Sequence, residues 1–211
     1  MARIVAIGMI GVAAAWPCAS AAAAPIGVEG GAFLNVFAQD SRPVGHTVTL
    51  SFAGGSYVVA DPRGVQAFEG CASVDPTHAS CPSTGSEGAD VELGDGDDLV
   101  RLRSVAPGEV ARVTSNGGDD ELIGSPARDQ LLGGDGDDRL AGRGGDDGLY
   151  GDDGRDRIKG GGGTDTMFGG DGADVLLARD GTRDRRIACQ GGRARDERAS
   201  TDGQDPKPGS C

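Results

Sequence analysis

The chain has 211 residues, of which 39 are Gly and only 4% are aromatic, and its formal net charge at pH 7 is -13. This length predicts one or two small domains, and the scarcity of large side chains argues against a conventional packed core. Small cores of this kind need additional cross-links.

Residues 1–21 have the features of a secretory signal peptide. Arg3 supplies a positive charge, residues 4–15 are a short apolar run, and residues 19–21 form a small-residue cleavage site. The apolar run is too short for a transmembrane helix. A lipoprotein anchored through Cys18 is the alternative, but the residues before this cysteine are unlike a lipidation signal. We therefore expect a secreted, extracellular protein.

Cleavage after residue 21 would leave four cysteines, an even number that suits disulfide bonds in an oxidising compartment. Their spacing favours Cys71 with Cys81 and Cys189 with Cys211. Free buried thiols and a zinc site are the alternatives, but no Cys-x-x-Cys spacing or nearby histidine supports them. The pairing predicts one disulfide on each side of the central part of the chain.

Residues 25–92 form a predicted N-terminal β region. Residues typical of strands are concentrated in 32–38, 47–53 and 56–60, and the Gly54-Gly55 pair indicates a turn between the last two. We expect a small β layer that caps the start of the repeats that follow, with a ligand-binding module as the less favoured interpretation.

The two histidines of the chain, His46 and His78, belong to no recognisable motif. A lone loop histidine is usually solvated rather than catalytic, so both are expected to be solvated. The sequence also contains no His-Glu-x-x-His helix, no Gly-x-Ser-x-Gly elbow and no cysteine with a credible base. These observations predict a protein without catalysis.

Residues 93–115 contain a single repeat-like turn and connecting strands. The turn is Leu93-Gly94-Asp95-Gly96-Asp97-Asp98, and alternating residues follow it as far as Val113. Asp98 lies 22 residues before Asp120, a spacing that does not fit the period of nine that begins there. We therefore expect an interruption or an insertion at this point.

Residues 116–177 are a repeat with a period of nine. Aspartate recurs at every ninth position, and an apolar residue follows each aspartate by two positions. The aspartates are Asp120, Asp129, Asp138, Asp147, Asp156, Asp165 and Asp174, and the apolar residues are Leu122, Leu131, Leu140, Leu149, Ile158, Met167 and Leu176. Two residue classes that keep one period through seven turns predict a stack of identical structural units.

The best copies of the repeat are residues 133–141 and 169–177, which match Gly-Gly-x-Gly-x-Asp-x-apolar-x. The chain therefore resembles the RTX, or haemolysin-type, calcium-binding repeat family. The resemblance implies an all-β fold, a right-handed parallel β-roll (β-helix solenoid), with the apolar residues stacked inside. In each repeat, six residues would make a turn and three a strand, with side chains alternating between the faces of the strand.

Successive turns are expected on opposite edges of the roll, so neighbours on one edge are eighteen residues apart. The resemblance implies about three to five Ca²⁺ ions between such neighbours, since calcium takes six to eight oxygen ligands from carboxylates and carbonyls. The expected carboxylate ligands are Asp98, Asp120, Asp129, Asp138, Asp147, Asp156, Asp165 and Asp174. The expected carbonyl ligands are those of Gly133, Gly134, Gly136, Gly142, Gly144, Gly151, Gly160, Gly162 and Gly169.

Several turns depart from the pattern. Ser125 and Ala127 stand where glycines are expected before Asp129, and Arg143 and Asp152 occupy second-glycine positions. We therefore expect fewer well-formed sites than turn pairs. The best are predicted between Asp138 and Asp156, between Asp156 and Asp174, and between Asp147 and Asp165.

A disordered acidic linker is the alternative that composition alone would favour. Residues 116–177 contain fifteen acidic and six basic residues, and this charge opposes compaction until divalent cations neutralise it. A linker would not keep an apolar residue in phase with an acid, however. An EF-hand is excluded because its twelve-residue loop is flanked by helices, which the sequence does not predict here.

Residues 178–211 are predicted to be a polar cap that closes the repeats, held by a Cys189–Cys211 disulfide. Their arginines raise nucleic-acid binding as an alternative, but interleaved acids offset this charge. The preferred function is a secreted, non-catalytic calcium-binding protein that folds on binding calcium. A calcium-dependent adhesin with a cell-surface or extracellular polymer partner is the second hypothesis, and a fragment or subunit of an RTX hydrolase is the third.

Overall fold

The structure, a computed structural model, describes residues 26–30, 33–38, 44–67, 70–83, 88–189 and 198–201. Within these ranges the chain is all-β, and no residue lies in a helix. None of this part of the chain therefore has the long apolar helix that a membrane span needs. The predicted signal peptide and Cys211 lie outside the described residues.

The described strands are short, because turns interrupt the chain every few residues. In chain order they are β1 (Ile26–Glu29), β2 (Phe33–Ala38), β3 (Thr47–Ala53), β4 (Ser56–Ala60), β5 (Val65–Ala67), β6 (Ala72–Asp75), β7 (His78–Pro82), β8 (Gly88–Glu92), β9 (Leu99–Leu102), β10 (Val110–Gly117), β11 (Glu121–Ile123), β12 (Asp129–Asp135), β13 (Arg139–Gly144), β14 (Gly148–Gly154), β15 (Arg157–Gly162), β16 (Thr166–Gly172), β17 (Val175–Leu177), β18 (Arg186–Ala188) and β19 (Arg198–Ser200).

These strands form two sheets. Sheet 1 has the order β18-β16-β14-β12-β10-β8-β2-β1-β5, and sheet 2 has the order β19-β17-β15-β13-β11-β9-β3-β4-β7-β6. From β8 to β19 successive strands alternate between the sheets, and all neighbours within a sheet are parallel. This arrangement is a β-roll, and it confirms the predicted fold class.

The register of the roll follows from the period of the sequence. Leu131 pairs with Leu149 in sheet 1 and Leu122 pairs with Leu140 in sheet 2, each pair eighteen residues apart. The middle residue of each three-residue strand segment points inward and its two neighbours point outward, because side chains alternate between the faces of a strand. The inward residues form two buried columns, Val113, Leu131, Leu149, Met167 and Ile187 in sheet 1 and Val100, Leu122, Leu140, Ile158 and Leu176 in sheet 2.

The N-terminal strands continue both sheets of the roll. β2 pairs in parallel with β8, and β3 pairs in parallel with β9. β3 and β4 form the hairpin that the sequence predicts, with Gly54 and Gly55 at φ values of 60° and 80° in its turn. Left-handed backbone conformations of this kind favour glycine. Strands β2, β3 and β4 therefore lie where the residue pattern places them.

The disulfide predicted between Cys71 and Cys81 is present, with an S–S distance of 2.09 Å. It connects the residue immediately before β6 with β7, at the N-terminal end of sheet 2. Cys189 is buried and disulfide-bonded. Its predicted partner Cys211 lies outside the described residues, so the Cys189–Cys211 pairing stays a prediction.

The irregular spacing between Asp98 and Asp120 is an insertion within the roll. Leu99 pairs with Glu121, 22 residues later, so this turn of the roll is four residues longer than the next. The additional residues form a loop that packs on the N-terminal hairpin. Ser104 accepts a hydrogen bond from the Phe52 amide at 2.8 Å, and Tyr57 donates its hydroxyl to Glu109. The sheets therefore continue without a break.

Three residues in the repeat turns have positive φ although they are not glycine. They are Asn116 at 71°, Arg143 at 81° and Asp152 at 74°. Each stands at the second glycine position of its turn, where Gly134 and Gly170 have φ values of 116° and 114°. A left-handed conformation destabilises an L-residue by about 1 kcal/mol or more.

We therefore expect Asp152→Gly to stabilise the folded roll by about 1 kcal/mol, because glycine relieves this strain. The measurement is thermal unfolding in excess calcium. Asp153→Gly is the matched control, since it removes a neighbouring charge from a residue whose φ is not positive. A transition temperature for Asp152→Gly no higher than that of the control would contradict the prediction.

Candidate metal sites

The repeat aspartates lie just before or at the start of the repeat strands and form two ladders, one along each edge of the roll. In each ladder the Oδ1 atom accepts a hydrogen bond from the backbone N–H of the aspartate eighteen residues earlier. The N···O distances are 2.8 Å for Asp120 to Asp138 and for Asp129 to Asp147, 2.9 Å for Asp147 to Asp165, and 3.0 Å for Asp138 to Asp156 and for Asp156 to Asp174. The two edges are those that the eighteen-residue spacing predicts.

The second oxygen of these carboxylates is buried and lacks a hydrogen bond. Among the described residues, Oδ2 has no hydrogen-bond partner in Asp98, Asp120, Asp138, Asp147, Asp156, Asp165 and Asp174. Burying a carboxylate oxygen without a partner is strongly unfavourable. A cation bound beside a row of such oxygens would therefore stabilise the fold, because it would interact with each buried carboxylate.

Glycine carbonyls face the same buried oxygens. A Cβ atom built on Gly151 would clash with Asp156 Oδ2 and lie 2.5 Å from the carbonyl oxygen of Gly169. A Cβ on Gly133 or on Gly142 would likewise clash with the Oδ2 atom of the aspartate five residues later. The facing carbonyl oxygen would lie 2.9 Å away for Gly133 and 2.6 Å away for Gly142. In each case a carboxylate oxygen from one turn and a carbonyl oxygen from the next turn on the same edge lie around a glycine. We call this arrangement a cradle.

The oxygen atoms of these cradles are ligands that suit a hard cation. No group of three or more His, Cys, Asp or Glu side chains that could hold a metal occurs within the described ranges. Side chains alone therefore do not make a site, and backbone carbonyls must supply the remaining ligands. Calcium accepts such a set because it takes six to eight oxygens with flexible geometry, whereas zinc prefers nitrogen and sulfur.

The other predicted carbonyls have different settings. Gly134 and Gly136 have positive φ and lie against the backbone of residues 116 and 118, so a side chain at either position would clash. The carbonyl of Gly162 already accepts a hydrogen bond from the Gly145 N–H at 2.9 Å. A carbonyl oxygen has two lone pairs, so this bond leaves room for a second interaction.

Asp129 differs from the other repeat aspartates. Its Oδ2 atom accepts the backbone N–H of Ser125 at 2.5 Å, and its Oδ1 atom accepts the Ser125 hydroxyl at 3.2 Å. Both oxygens of this carboxylate are therefore satisfied within its own turn.

The N-terminal end of one ladder contains a residue that the sequence did not indicate. His46 donates its backbone N–H to Asp98 Oδ1 at 2.5 Å, as the repeat aspartates do, and its Nδ1 atom lies 3.0 Å from Asp61 Oδ2. His46 and Asp61 are both buried, so the expectation that His46 is solvated is wrong. Its position two residues before the buried Val48 is the available signal, since it copies the Asp-x-apolar spacing. His78, by contrast, has a side chain that is 43% exposed.

Two further sets of carboxylates were not predicted. Asp184 continues the ladder that contains Asp147 and Asp165, because its Oδ1 atom accepts the Asp165 N–H at 2.9 Å. A separate, exposed ladder is formed by acids one residue before the buried aspartates. Asp119 accepts the N–H of Asp137, and Asp137 accepts the N–H of Arg155. The doubled Asp-Asp pairs at 119–120 and 137–138 are the sequence signal for this outer ladder.

Burial raises the pKa of the ladder carboxyls above the ordinary value of an aspartate. Desolvation, with the other acids of the ladder as a smaller contribution, raises the pKa to about 6 for Asp138, about 7 for Asp156 and about 8 for Asp147. The folded roll without calcium therefore holds protons more tightly than the unfolded chain does. The stability that these carboxyls contribute is fully present in acid and is lost as the pH rises from about 4 to about 8.

We therefore expect calcium-depleted protein to be more ordered at a pH of about 5 than at a pH of about 8. Calcium binding should show the opposite trend, because protons and calcium compete for the same carboxylates, and its affinity should fall as the pH falls. Circular dichroism of the calcium-depleted protein and calcium titrations at both pH values measure the two trends. Greater order at the higher pH in the depleted protein would oppose this interpretation.

A single methyl group should test the cradle. Gly151→Ala is expected to weaken calcium binding more than about tenfold, because the added Cβ clashes with Asp156 Oδ2 and displaces the facing carbonyl. Gly162→Ala is the matched control, since a Cβ there would meet no atom within 4 Å. Isothermal titration in calcium measures both. Equal affinity for the two variants would exclude the cradle around Asp156 as a binding site.

The two ladders and their carbonyl cradles define a parallel β-roll with oxygen-lined turns, a class of fold suited to binding cations between its turns. Residues 114–149 and 142–176 match the family model described as RTX calcium-binding nonapeptide repeat (4 copies). This part of the chain therefore consists of RTX repeats, which indicate calcium binding. A search of curated proteins and a search of solved structures each gave no significant match.

Proposed function

We propose that this chain is a secreted, non-catalytic protein whose β-roll folds when Ca²⁺ ions bind between its turns. The observation that carries this proposal is the row of buried Oδ2 atoms that face glycine carbonyls and have no hydrogen-bond partner of their own. Bound calcium would supply the missing interactions and neutralise the charge of the repeats. Binding to the folded state alone then stabilises that state.

The proposed ligands are the ladder aspartates together with turn carbonyls, for about three to five ions. The three turn pairs that combine a glycine cradle with a facing carbonyl support the middle of the array most strongly. They are the pairs that contain Asp138 with Asp156, Asp147 with Asp165, and Asp156 with Asp174.

Secretion is supported by the predicted signal peptide and by the Cys71–Cys81 disulfide, because such bonds persist in oxidising compartments. The absence of catalysis is proposed because the sequence contains none of the common hydrolase motifs. The buried His46–Asp61 pair does not argue against it, since His46 is only 2% exposed and a substrate would not reach its ring.

Isothermal titration of the mature chain with calcium, and separately with magnesium, tests the proposed function. We expect several calcium ions to bind and magnesium to bind poorly, because magnesium requires a tighter octahedral geometry and keeps its waters. No heat of calcium binding, together with an unchanged circular dichroism spectrum, would reject the proposal.

A calcium-dependent adhesin is the second candidate, and a groove on the outer face of sheet 1 favours it. The groove has a volume of about 510 Å³ and is lined by residues of several strands, Gly148 among them. Its lining includes Arg112, Arg128, Arg185, Tyr150 and Gln130. Exposed arginines beside an aromatic ring suit the carboxylates and sugar rings of an anionic extracellular polymer.

Binding to an immobilised anionic polysaccharide in the presence of calcium tests this candidate, with a neutral polysaccharide as the comparison. Arg128→Ser should weaken retention if the groove binds the polymer. Arg157→Ser removes an arginine of sheet 2 that is also exposed, and it should leave retention unchanged. A full calcium response without retention would leave calcium binding as the function and reject the adhesin.

A further inference from the structure

The backbone of the turn before Asp129 differs from that of the other repeat turns. The residue at the second position of those turns has positive φ, as in Gly134, Gly161 and Gly170, whereas Ser125 does not. Pro126 explains the difference, because a proline restricts the preceding residue to extended conformations. Strand β11 accordingly ends at Ile123, before the turn, while strands such as β12 and β13 continue into theirs.

This conformation places Ser125 where it closes the carboxylate of its own turn. The Ser125 N–H and hydroxyl donate to the two oxygens of Asp129, and the hydroxyl also accepts the N–H of Ala127 at 3.1 Å. The carbonyl of Gly142 lies in the same place relative to this turn as the carbonyl of Gly160 does relative to the next turn on that edge. The environment is that of a cradle, but hydrogen bonds take the place of a cation.

A second serine has a related position on the other edge. Ser115 lies five residues before Asp120, where the later turns have Gly133 and Gly151. Its buried hydroxyl donates to the carbonyl oxygen of Gly133 at 2.8 Å. This carbonyl is the counterpart of the Gly169 carbonyl that faces Asp156, so the serine side chain stands between the two groups that form a cradle in the later turns.

We infer that Ser115 and Ser125 decide which turns take calcium: they close the Asp120–Asp138 and Asp129–Asp147 intervals, and the ion array begins with the cradle of Gly133 and Asp138. Of the five same-edge intervals between repeat aspartates, the serines leave three for calcium. This inference rests on the calcium binding proposed above and adds its boundary.

The turns that contain Ser115 and Ser125 follow a part of the chain that has its own apolar core. The described residues 44–67, 70–83 and 88–132 include the buried side chains of Leu50, Tyr57 and Leu102 and the insertion loop that packs on the hairpin. The Asp129 turn needs no cation to satisfy its carboxylate, because both oxygens accept hydrogen bonds from Ser125. The N-terminal part up to about residue 132 is therefore a template on which calcium folds the turns from Gly133 onward.

Two variants on separate edges test the role of the serines by calcium stoichiometry. Ser115→Gly should bind one more calcium ion than the wild type, since it recreates the cradle of the later turns. The triple change Ser125→Gly, Pro126→Asp and Ala127→Gly should do the same on the other edge. Ser115→Ala is the control, because it removes the hydroxyl but keeps the Cβ that blocks the cradle, and it should add no ion.

Stoichiometry by isothermal titration and hydrogen exchange in a chelator give the decisive readouts. The wild type should keep slow exchange up to about residue 132 and lose it beyond, and each glycine variant should move that boundary towards the N-terminus on its own edge. Wild-type stoichiometry in both glycine variants that fold in excess calcium, or uniform exchange along the wild-type chain, would overturn the inference. Failure of the proposed function itself is distinguishable, since the wild type would then bind no calcium.

Discussion

Chelation of calcium will remove most of the β structure from Gly133 to Gly172, and calcium will restore it while magnesium will not. The reason is that this part of the roll buries ladder carboxylates whose Oδ2 atoms have no partner in the protein. Its apolar core is thin, because each turn adds only one large inward side chain to a column. Each ion bound at one hundred times its dissociation constant adds about 2.7 kcal/mol of stability, which is a large share of a small domain's total.

Far-ultraviolet circular dichroism of the mature chain, in chelator and then in excess calcium or magnesium, measures this effect. Hydrogen exchange locates it along the chain. The Cys71–Cys81 disulfide should stay formed throughout, so reduction cannot account for any loss of structure. A chelated protein with the full spectrum and full protection of the calcium form would show that the turns cohere by other means.

The fold was accessible from the sequence because its period fixes both register and side-chain direction. Leu131 lies above Leu149 for the same reason that Asp129 lies near Asp147, since every eighteen residues return the chain to an equivalent position on the same edge. A one-residue error in this register would turn the apolar residues outward, so the pattern permits a single arrangement. The same logic locates the N-terminal hairpin, where Gly54 and Gly55 supply the turn.

Features outside the period could not be predicted. The His46–Asp61 pair joins residues fifteen positions apart through the packing of the hairpin onto the roll, and no local pattern specifies it. Asp184 was missed because the next inward residue, Ile187, follows it by three positions rather than two. At both His46 and Asp184 the hydrogen bonds from backbone N–H groups to aspartate Oδ1 atoms continue the ladder, although the sequence there no longer follows the period of nine.

The candidate sites were predictable in place but not in detail. The aspartate spacing gives the two edges, whereas the accessibility of each Oδ2 atom depends on the conformation of a neighbouring turn. Ser125 illustrates this dependence. From the sequence, a serine at a glycine position predicts only a weaker calcium site. In the structure it is an alternative set of hydrogen bonds to Asp129.

Asp156→Ala will reduce calcium binding much more than Asp129→Ala will. Asp156 lies between two cradles, because its Oδ2 atom faces the carbonyl of Gly169 and its Oδ1 atom bonds the N–H of Asp138 in the turn below. Removing it should weaken two ions, each by more than about tenfold, or about 1.4 kcal/mol. Both carboxylate oxygens of Asp129 already accept hydrogen bonds from Ser125, so the loss of this side chain should leave the calcium stoichiometry unchanged.

The two substitutions remove the same atoms from equivalent positions on opposite edges of the roll, so each is the control for the other. Asp129→Ala should still lower the thermal stability, by about 1–3 kcal/mol, because it leaves the N–H of Ser125 without a partner. Isothermal titration separates the effect on binding from the effect on stability, which thermal unfolding in excess calcium measures. Equal losses of calcium affinity in the two variants would mean that the Asp129 turn binds an ion despite its serine, and the assignment of sites along both edges would fail with it.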